Sequence, residues 1–269
     1  MSRPVVFIHG LWIHSSAWQP WQELFELQGY RTAAPGWPGD GDTVAATRAN
    51  PDAVAGYGVD AITEAYAAVL AGYDEKPIVI GHSFGGLIAQ KLLDRGLAAA
   101  AVAFSPAPIK GVRALPFSLL RTSFPVLSRP GNKQRAVSLT EKQFAYSFGN
   151  ALPAAESAEL YERFTIPGPG RPLFEVSSAN FTRDAPSAVD TASANRGPLL
   201  MVAAGRDHTV PAVVVRAAHR LYAGSAARTD ITCHPDRGHS GVFDHGWREL
   251  ADEALSWVRS LDRSGAPSA

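Results

Sequence analysis

The residues predict an α/β fold, a mostly parallel sheet of about six strands flanked by helices, and three observations carry the prediction. Short apolar runs recur along the 269 residues, each followed by Gly, Asp or His and then by apolar residues at helical spacing. That is how strands buried on both faces by crossover helices read. Strand and helix signals alternate over most of the chain, which means a parallel sheet. One run, Pro77 Ile78 Val79 Ile80, enters Gly81 His82 Ser83 Phe84 Gly85 and passes straight into a helical pattern.

Taken in order, strands are expected at 4–8, 77–80, 100–104, 198–203 and 228–233, with a further candidate at 30–34. Helices are expected at 18–28, at 59–70, where Val59, Ile62, Tyr66 and Val69 share a face, at 84–95 and at 211–222. A last helix at 242–261 spaces Trp247, Leu250, Ala254, Val258 and Leu261 at helical intervals. Residues 107–195 break the alternation: they hold no buried-strand run, but helix-like pieces punctuated by Pro and Gly, with Phe117, Leu120, Phe124, Phe144, Phe148 and Phe181 among their apolar bulk. This stretch reads as a helical cap inserted over a core of residues 1–106 and 196–269. The tail at 263–269 reads as frayed.

Hydrophobic residues make up 46% of the chain, enough at this length to bury a full core without disulfide staples. Twenty-five basic residues balance 25 acidic ones. No run of like charge supplies the counterion-release term that nucleic acid demands, so nucleic acid and anionic membrane surfaces are disfavoured as partners. The longest apolar runs, at 97–104 and 199–204, fall far short of a bilayer span. Val5 to Ile8 are too few apolar residues for a secretory leader. A cytoplasmic protein is expected, and the single cysteine fits a reducing compartment. Cys233 lies in a strand-like stretch, which predicts a buried structural thiol.

The chemistry starts at Ser83. A G-x-S-x-G by itself arises by chance, but a buried strand leading in and a helix leading out are the setting the motif requires. Small residues on both sides let the chain turn tightly and hold the hydroxyl at the carboxyl edge of the sheet, over a helix N-terminus. Side chains at Gly81 and Gly85 would collide there. A serine hydroxyl is a weak nucleophile, so it needs an imidazole to take its proton and a carboxylate to orient the imidazole. Asp207, in Gly205 Arg206 Asp207 His208 Thr209 Val210 Pro211, follows one expected strand; His239, in Gly238 His239 Ser240 Gly241, follows the next. Both fall at the edge that presents Ser83. The loop after strand 100–104 reads Ser105 Pro106 Ala107 Pro108 and offers no carboxylate.

His208 reads as a loop neighbour of the acid, and His219 and His245 as exposed on helices. His234, His239 and His245 match no tight ligand spacing, so no metal and no cofactor is expected. After the first strand, the turn at His9 and Gly10 aims a backbone N–H at the serine, Leu11 being the first choice and Trp12 the alternative, with Phe84 N–H as the second oxyanion donor. His9 reads as structural, its ring bonding local backbone. Trp12, Trp37 and Phe104 lie beside strand ends and are expected to line the substrate pocket.

Together the segments His9–Trp12 (HGLW), Gly81–Gly86 (GHSFGG), Gly205–Pro211 (GRDHTVP) and Gly238–Ser240 (GHS), in this order, resemble the α/β-hydrolase superfamily, with a serine esterase or lipase-like member carrying a helical cap as the best likeness. The resemblance covers the chain apart from the insertion. It implies an acyl-enzyme mechanism with Ser83 as nucleophile, His239 as general base and then acid, and Asp207 orienting it. The chain opens directly on the strand before His9, so the antiparallel hairpin usual before it is missing. Ser83 in place of Asp argues against haloalkane dehalogenases and epoxide hydrolases, and Leu11 lacks the side-chain hydroxyl or amide that hydroxynitrile lyases carry there. The expected activity is cofactor-free hydrolysis of a small to medium, apolar carboxylic ester or lactone. Thioester, amide or C–C bond hydrolysis, perhydrolysis and a non-catalytic ligand receptor of the same fold stay open at this point, as do monomer and homodimer. A small molecule is the expected partner.

Overall fold

In the computed structural model, which describes residues 3–264, Pro4 to Ile8 form a strand with every side chain buried. A strand with no polar face must be covered on both sides, and most of the sheet obeys the same demand. The strands are β1 (Pro4–Ile8), β2 (Arg31–Ala33), β3 (Ile78–His82), β4 (Ala100–Phe104), β5 (Ala136–Val137), β6 (Gly168–Pro169), β7 (Leu199–Ala204) and β8 (Thr229–His234). Six of them make one sheet in the order β2-β1-β3-β4-β7-β8. Every neighbouring pair in it is parallel.

The helices are α1 (Gln19–Leu27), α2 (Val44–Ala49), α3 (Val59–Ala71), α4 (Phe84–Asp94), α5 (Phe117–Leu127), α6 (Glu141–Ser147), α7 (Ala154–Phe164), α8 (Arg171–Ser177), α9 (Ala212–Leu221) and α10 (Trp247–Ser264). From β1 the chain moves toward one edge of the sheet and from β3 toward the other. Right-handed crossovers therefore put α1 on one face, where α10 joins it, and α3 beside α4 on the opposite face. The carboxyl ends of β1 and β3 bound the switch-point crevice where open α/β sheets hold ligands.

Under α1 the core is aromatic. Phe7 stacks on Trp18 with centroids 5.1 Å apart and meets Phe25 edge-on at 5.5 Å. Burying each of these phenyl rings contributes roughly 1.5–3 kcal/mol. Trp21 Nε1–H donates to the carbonyl of Val242 at 2.7 Å, tying α1 to the segment before α10. That bond belongs to a turn: α10 begins at Trp247, later than the apolar spacing suggests, because residues 242–246 are folded as turns. At the other end α10 takes in residues 263–264, and the rest of the expected frayed tail lies outside the described residues.

Between β4 and β7 the chain forms α5 to α8 and one antiparallel pair, Ala136 opposite Pro169 and Val137 opposite Gly168, too short to show as an apolar run. Tethers hold this stretch to the rest. Trp12 Nε1–H donates to Val137 O at 2.9 Å. The Arg48 guanidinium donates to the carbonyls of Tyr161, Glu162 and Thr165 at the end of α7. Glu175 accepts from the first N–H of α3 at 2.7 Å, where the helix dipole favours a carboxylate. Phe144, Phe148 and Phe164 are buried, whereas Phe117, Phe124 and Phe181 are exposed.

Cys233 is exposed, not buried. β8 is an edge strand, and position 233 turns outward beside Arg216, whose Nη2 is 3.5 Å from Sγ. His219 is half-buried on α9 and donates through Nε2 to Thr229 O at 3.3 Å, while His245 is exposed. Among the described residues no helix is long and apolar enough to cross a membrane.

Candidate active site

Ser83 joins β3 to α4 with φ 56° and ψ −120°, a conformation that costs a residue with a Cβ of order 1–3 kcal/mol and persists only where its surroundings enforce it. They do. Its N–H donates to Phe104 O at 2.9 Å, and its carbonyl accepts from Gly86, Leu87 and Ala107. A Cβ on Gly81 would sit 2.1 Å from Gly85 O, and one on Gly85 2.2 Å from Ile8 O, so the turn closes only around glycine. Trp12 and Ser105 share the positive φ, at 70° and 39°. Among the described residues the non-glycine positions of this kind thus follow β1, β3 and β4, all at one edge of the sheet.

Gly10 lies directly against the serine: a Cβ there would be 2.8 Å from the Cβ of Ser83. Among the described residues no carbonyl takes the N–H of Leu11. Phe84 is the first residue of α4, where an N–H has no partner within the helix. His9 bonds Gly10 O through Nδ1 at 2.9 Å, and its Nε2 lies 3.1 Å from both Trp37 N and Asp40 Oδ2.

Asp207 and His239 meet, buried, across 2.6 Å between Oδ2 and Nδ1. The other oxygen of Asp207 accepts from the N–H groups of Thr209 and Val210, both at 2.7 Å, so three donors fix the carboxylate. With Nδ1 facing Asp207, Nε2 of His239 is buried and has no hydrogen-bond partner among the described residues. The Phe148 ring stands at 69° to the imidazole, centroids 4.7 Å apart. On another side His82 lies 4.6 Å away, ring to ring, and its Nε2–H donates to the carbonyl of His239 at 2.9 Å. Burial first, with the adjacent His239 ring acting in the same direction, pushes His82 well below the ordinary imidazole range, so it is a neutral donor.

A cavity of about 460 Å³ opens onto Ser83, within the range of small-molecule sites. Leu11, Trp12 and Phe84 line it from the sheet edge; Phe148, Val176 and Phe181 line it from the segment between β4 and β7. Trp37 and Phe104 do not. Trp37 stacks on His9 at 5.1 Å, and strand alternation turns Phe104 to the sheet face under α1, where it meets Trp21 edge-on at 5.3 Å.

The cavity's polar lining is largely engaged with the protein's own backbone. Thr122, Ser123, Ser177 and Thr209 hydroxyls donate to carbonyls of His208, Leu119, Phe174 and Ser147. Asn180 bonds Gly111 N and Val112 O. Apart from Ser83, that leaves the exposed Arg113 at the rim.

His82 and Phe148 escape a reading by motif. The first is legible only as the variable position of G-x-S-x-G, and the second as one more phenylalanine of the insertion. Thr209 and Val210 carry a clearer signal, because an Asp two and three residues ahead readily accepts their N–H groups. His208, next to the acid, bonds Tyr146 O. Among the described residues no three His, Cys, Asp or Glu side chains gather as a metal site.

A sequence model of the alpha/beta hydrolase family matches residues 5–253. No curated protein matches the chain in sequence. Solved structures similar to it include a methylesterase protein from Arabidopsis, 16% identical with a TM-score of 0.66 over 96% of this chain and 99% of that one. A pyrethroid hydrolase from Sphingobium faniae JZ-2 is 18% identical with a TM-score of 0.63, covering 96% and 97%. A monoacylglycerol lipase from Paleococcus ferrophilus is 20% identical with a TM-score of 0.66, covering 97% and 96%. At these identities the likeness is one of fold.

Proposed function

The chain belongs to the alpha/beta hydrolase family, and on that premise we propose that it is a serine hydrolase cleaving a small to medium, apolar carboxylic ester or lactone through an acyl-enzyme intermediate. The observation that carries the reading is the buried Asp207–His239 pair at 2.6 Å with Nε2 of the imidazole left free. A ring bonded through Nδ1 to a carboxylate has its lone pair at Nε2, the atom that accepts a serine proton.

In the proposed reaction Ser83 Oγ attacks the ester carbonyl carbon while His239 Nε2 takes the hydroxyl proton, and Asp207 stabilises the resulting imidazolium. The carbonyl oxygen becomes an oxyanion held by the N–H groups of Leu11 and Phe84; loss of one such donor costs on the order of 10²–10³ in turnover. Collapse of the tetrahedral intermediate breaks the C–O bond, and His239 returns the proton to the leaving alcohol. Water, deprotonated by His239, then attacks the acyl carbon and releases the acid and Ser83. The cycle balances without a cofactor.

The apolar preference follows from the lining. A substrate with polar groups away from the scissile bond would bury them against hydroxyls already bonded to backbone, at about 1–3 kcal/mol for each unpaired group. Residues 107–195 act in this reading as the cap over a core of 1–106 and 196–269. The single cysteine fits a cytoplasmic setting.

p-Nitrophenyl esters of graded chain length test the proposal. A burst of p-nitrophenol with butyrate is expected from the wild type and its loss in Ser83→Ala; a burst that survives the substitution, or turnover of none of the esters, contradicts it.

A further inference from the structure

Among the described residues seven large hydrophobic side chains are exposed, and five of them, Leu115, Phe117, Leu120, Phe124 and Phe181, belong to one region. Phe117, Leu120 and Phe124 are spaced three and four apart on α5, which places them on one face. That face points outward: Phe117 is 77% and Phe124 67% exposed, and Phe181 beside the same mouth is 93% exposed. Leu115, Leu120 and Phe181 also line the cavity that leads to Ser83. The outer apolar surface and the cavity wall are therefore continuous.

Within the chain segment that carries α5 the charges are of one sign, the nearest exposed carboxylates being Glu141 at the start of α6 and Asp184 beyond Phe181. Between Asp94 and Glu141 the chain holds no acidic residue, while Lys110, Arg113, Arg121, Arg129, Lys133 and Arg135 fall in that interval. The neutral total of the whole chain conceals this segregation. Arg113, Arg129, Lys133 and Arg135 are exposed, and among the described residues no carboxylate pairs with them. Lys110 donates to Arg183 O, and Arg121 lies over the Tyr146 ring at 4.0 Å.

An exposed aromatic stripe on a helix, flanked by unneutralised cations, is what an element lying in a lipid interface presents: rings enter the boundary of the acyl region and cations meet anionic headgroups. We propose that α5 docks this protein on an anionic lipid bilayer, with the mouth of the cavity facing the membrane so that an apolar ligand passes from the lipid to Ser83 without crossing water. Docking draws on the surface of α5 and its flanks and is independent of the chemistry at Ser83.

Cosedimentation of the full-length protein tests this with vesicles of phosphatidylcholine alone and of phosphatidylcholine mixed with an equal amount of phosphatidylglycerol. Binding to the mixed vesicles is expected to be at least about tenfold stronger and to weaken with salt. The double variant Phe117→Ser, Phe124→Ser should lose binding by about tenfold or more, and Arg129→Glu with Lys133→Glu should erase the preference for phosphatidylglycerol. None of these four residues lines the cavity, so cleavage of a short, water-soluble p-nitrophenyl ester should stay at the wild-type rate and report an intact fold. Absence of binding to the mixed vesicles overturns the proposal, as does binding that both double variants retain. A wild-type dimer that the Phe117 and Phe124 substitutions dissociate also overturns it, since a second copy would then cover the stripe.

Discussion

His82 donates from Nε2 to the carbonyl of His239 across 2.9 Å, so the residue preceding Ser83 holds the loop that carries the imidazole. The bond crosses from the end of β3 to the segment after β8 and fixes the backbone of His239 while Asp207 fixes its ring. In His82→Phe the ring is kept and the donor is lost, leaving a buried carbonyl unpaired at about 1–3 kcal/mol. Turnover should fall by about tenfold or more with KM little changed, because in the proposed mechanism a displaced base impairs the chemical step. Burial keeps His82 neutral, so the acid limb of the pH–rate profile should stay at the same pH in the variant. A limb that shifts would mean that His82 itself titrates in catalysis.

Cavity size sets a second expectation. Val176 lines the cavity from α8. Val176→Trp should shorten the longest acyl chain accepted, lowering kcat/KM for the longer p-nitrophenyl esters by about tenfold or more while leaving the acetate unaffected. Uniform loss across the series would place the acyl group elsewhere.

The pH dependence of stability should carry the signature of His234. Its Nε2 lies 2.7 Å from Glu253 and its Nδ1 3.1 Å from Glu249. The bond to Glu253, against the opposing effect of burial, raises its pKa above 6.5. The folded protein thus holds this proton more tightly than the unfolded chain. The stability gained is fully present below about pH 6.5 and disappears as pH rises through the folded value. Thermal unfolding of His234→Gln should show the largest deficit in Tm between about pH 5 and 6.5, closing at higher pH. A deficit that grows with pH would reverse the assignment.

Much of the fold is legible because parallel strands buried on both faces must be apolar throughout, and Val5 to Ile8, Ile78 to Ile80 and Leu199 to Val202 have no alternative environment. Ser83 and Asp207 stand out as candidates because each follows such a strand in a short loop, and His239 because it follows the strand-like stretch at 228–233, which lies at the sheet edge and is half-buried. Cys233 is not, since a strand-like stretch does not announce whether it is an edge. Trp37 and Phe104 adjoin strand ends in sequence, but the face that each turns to depends on alternation and on the partner that each stacks against, His9 and Trp21. The outward face of α5 is hidden for a related reason: Phe117 and Phe124 have the composition of a core and the position of a surface.

The serine reading is tested most directly by a fluorophosphonate reagent, which labels a hydroxyl only when a neighbouring base activates it. Mass spectrometry of the digested protein should show one adduct, on Ser83, and the adduct should vanish in His239→Ala while the fold survives. No adduct on the wild type, or labelling that persists at Ser83 without His239, would contradict the account.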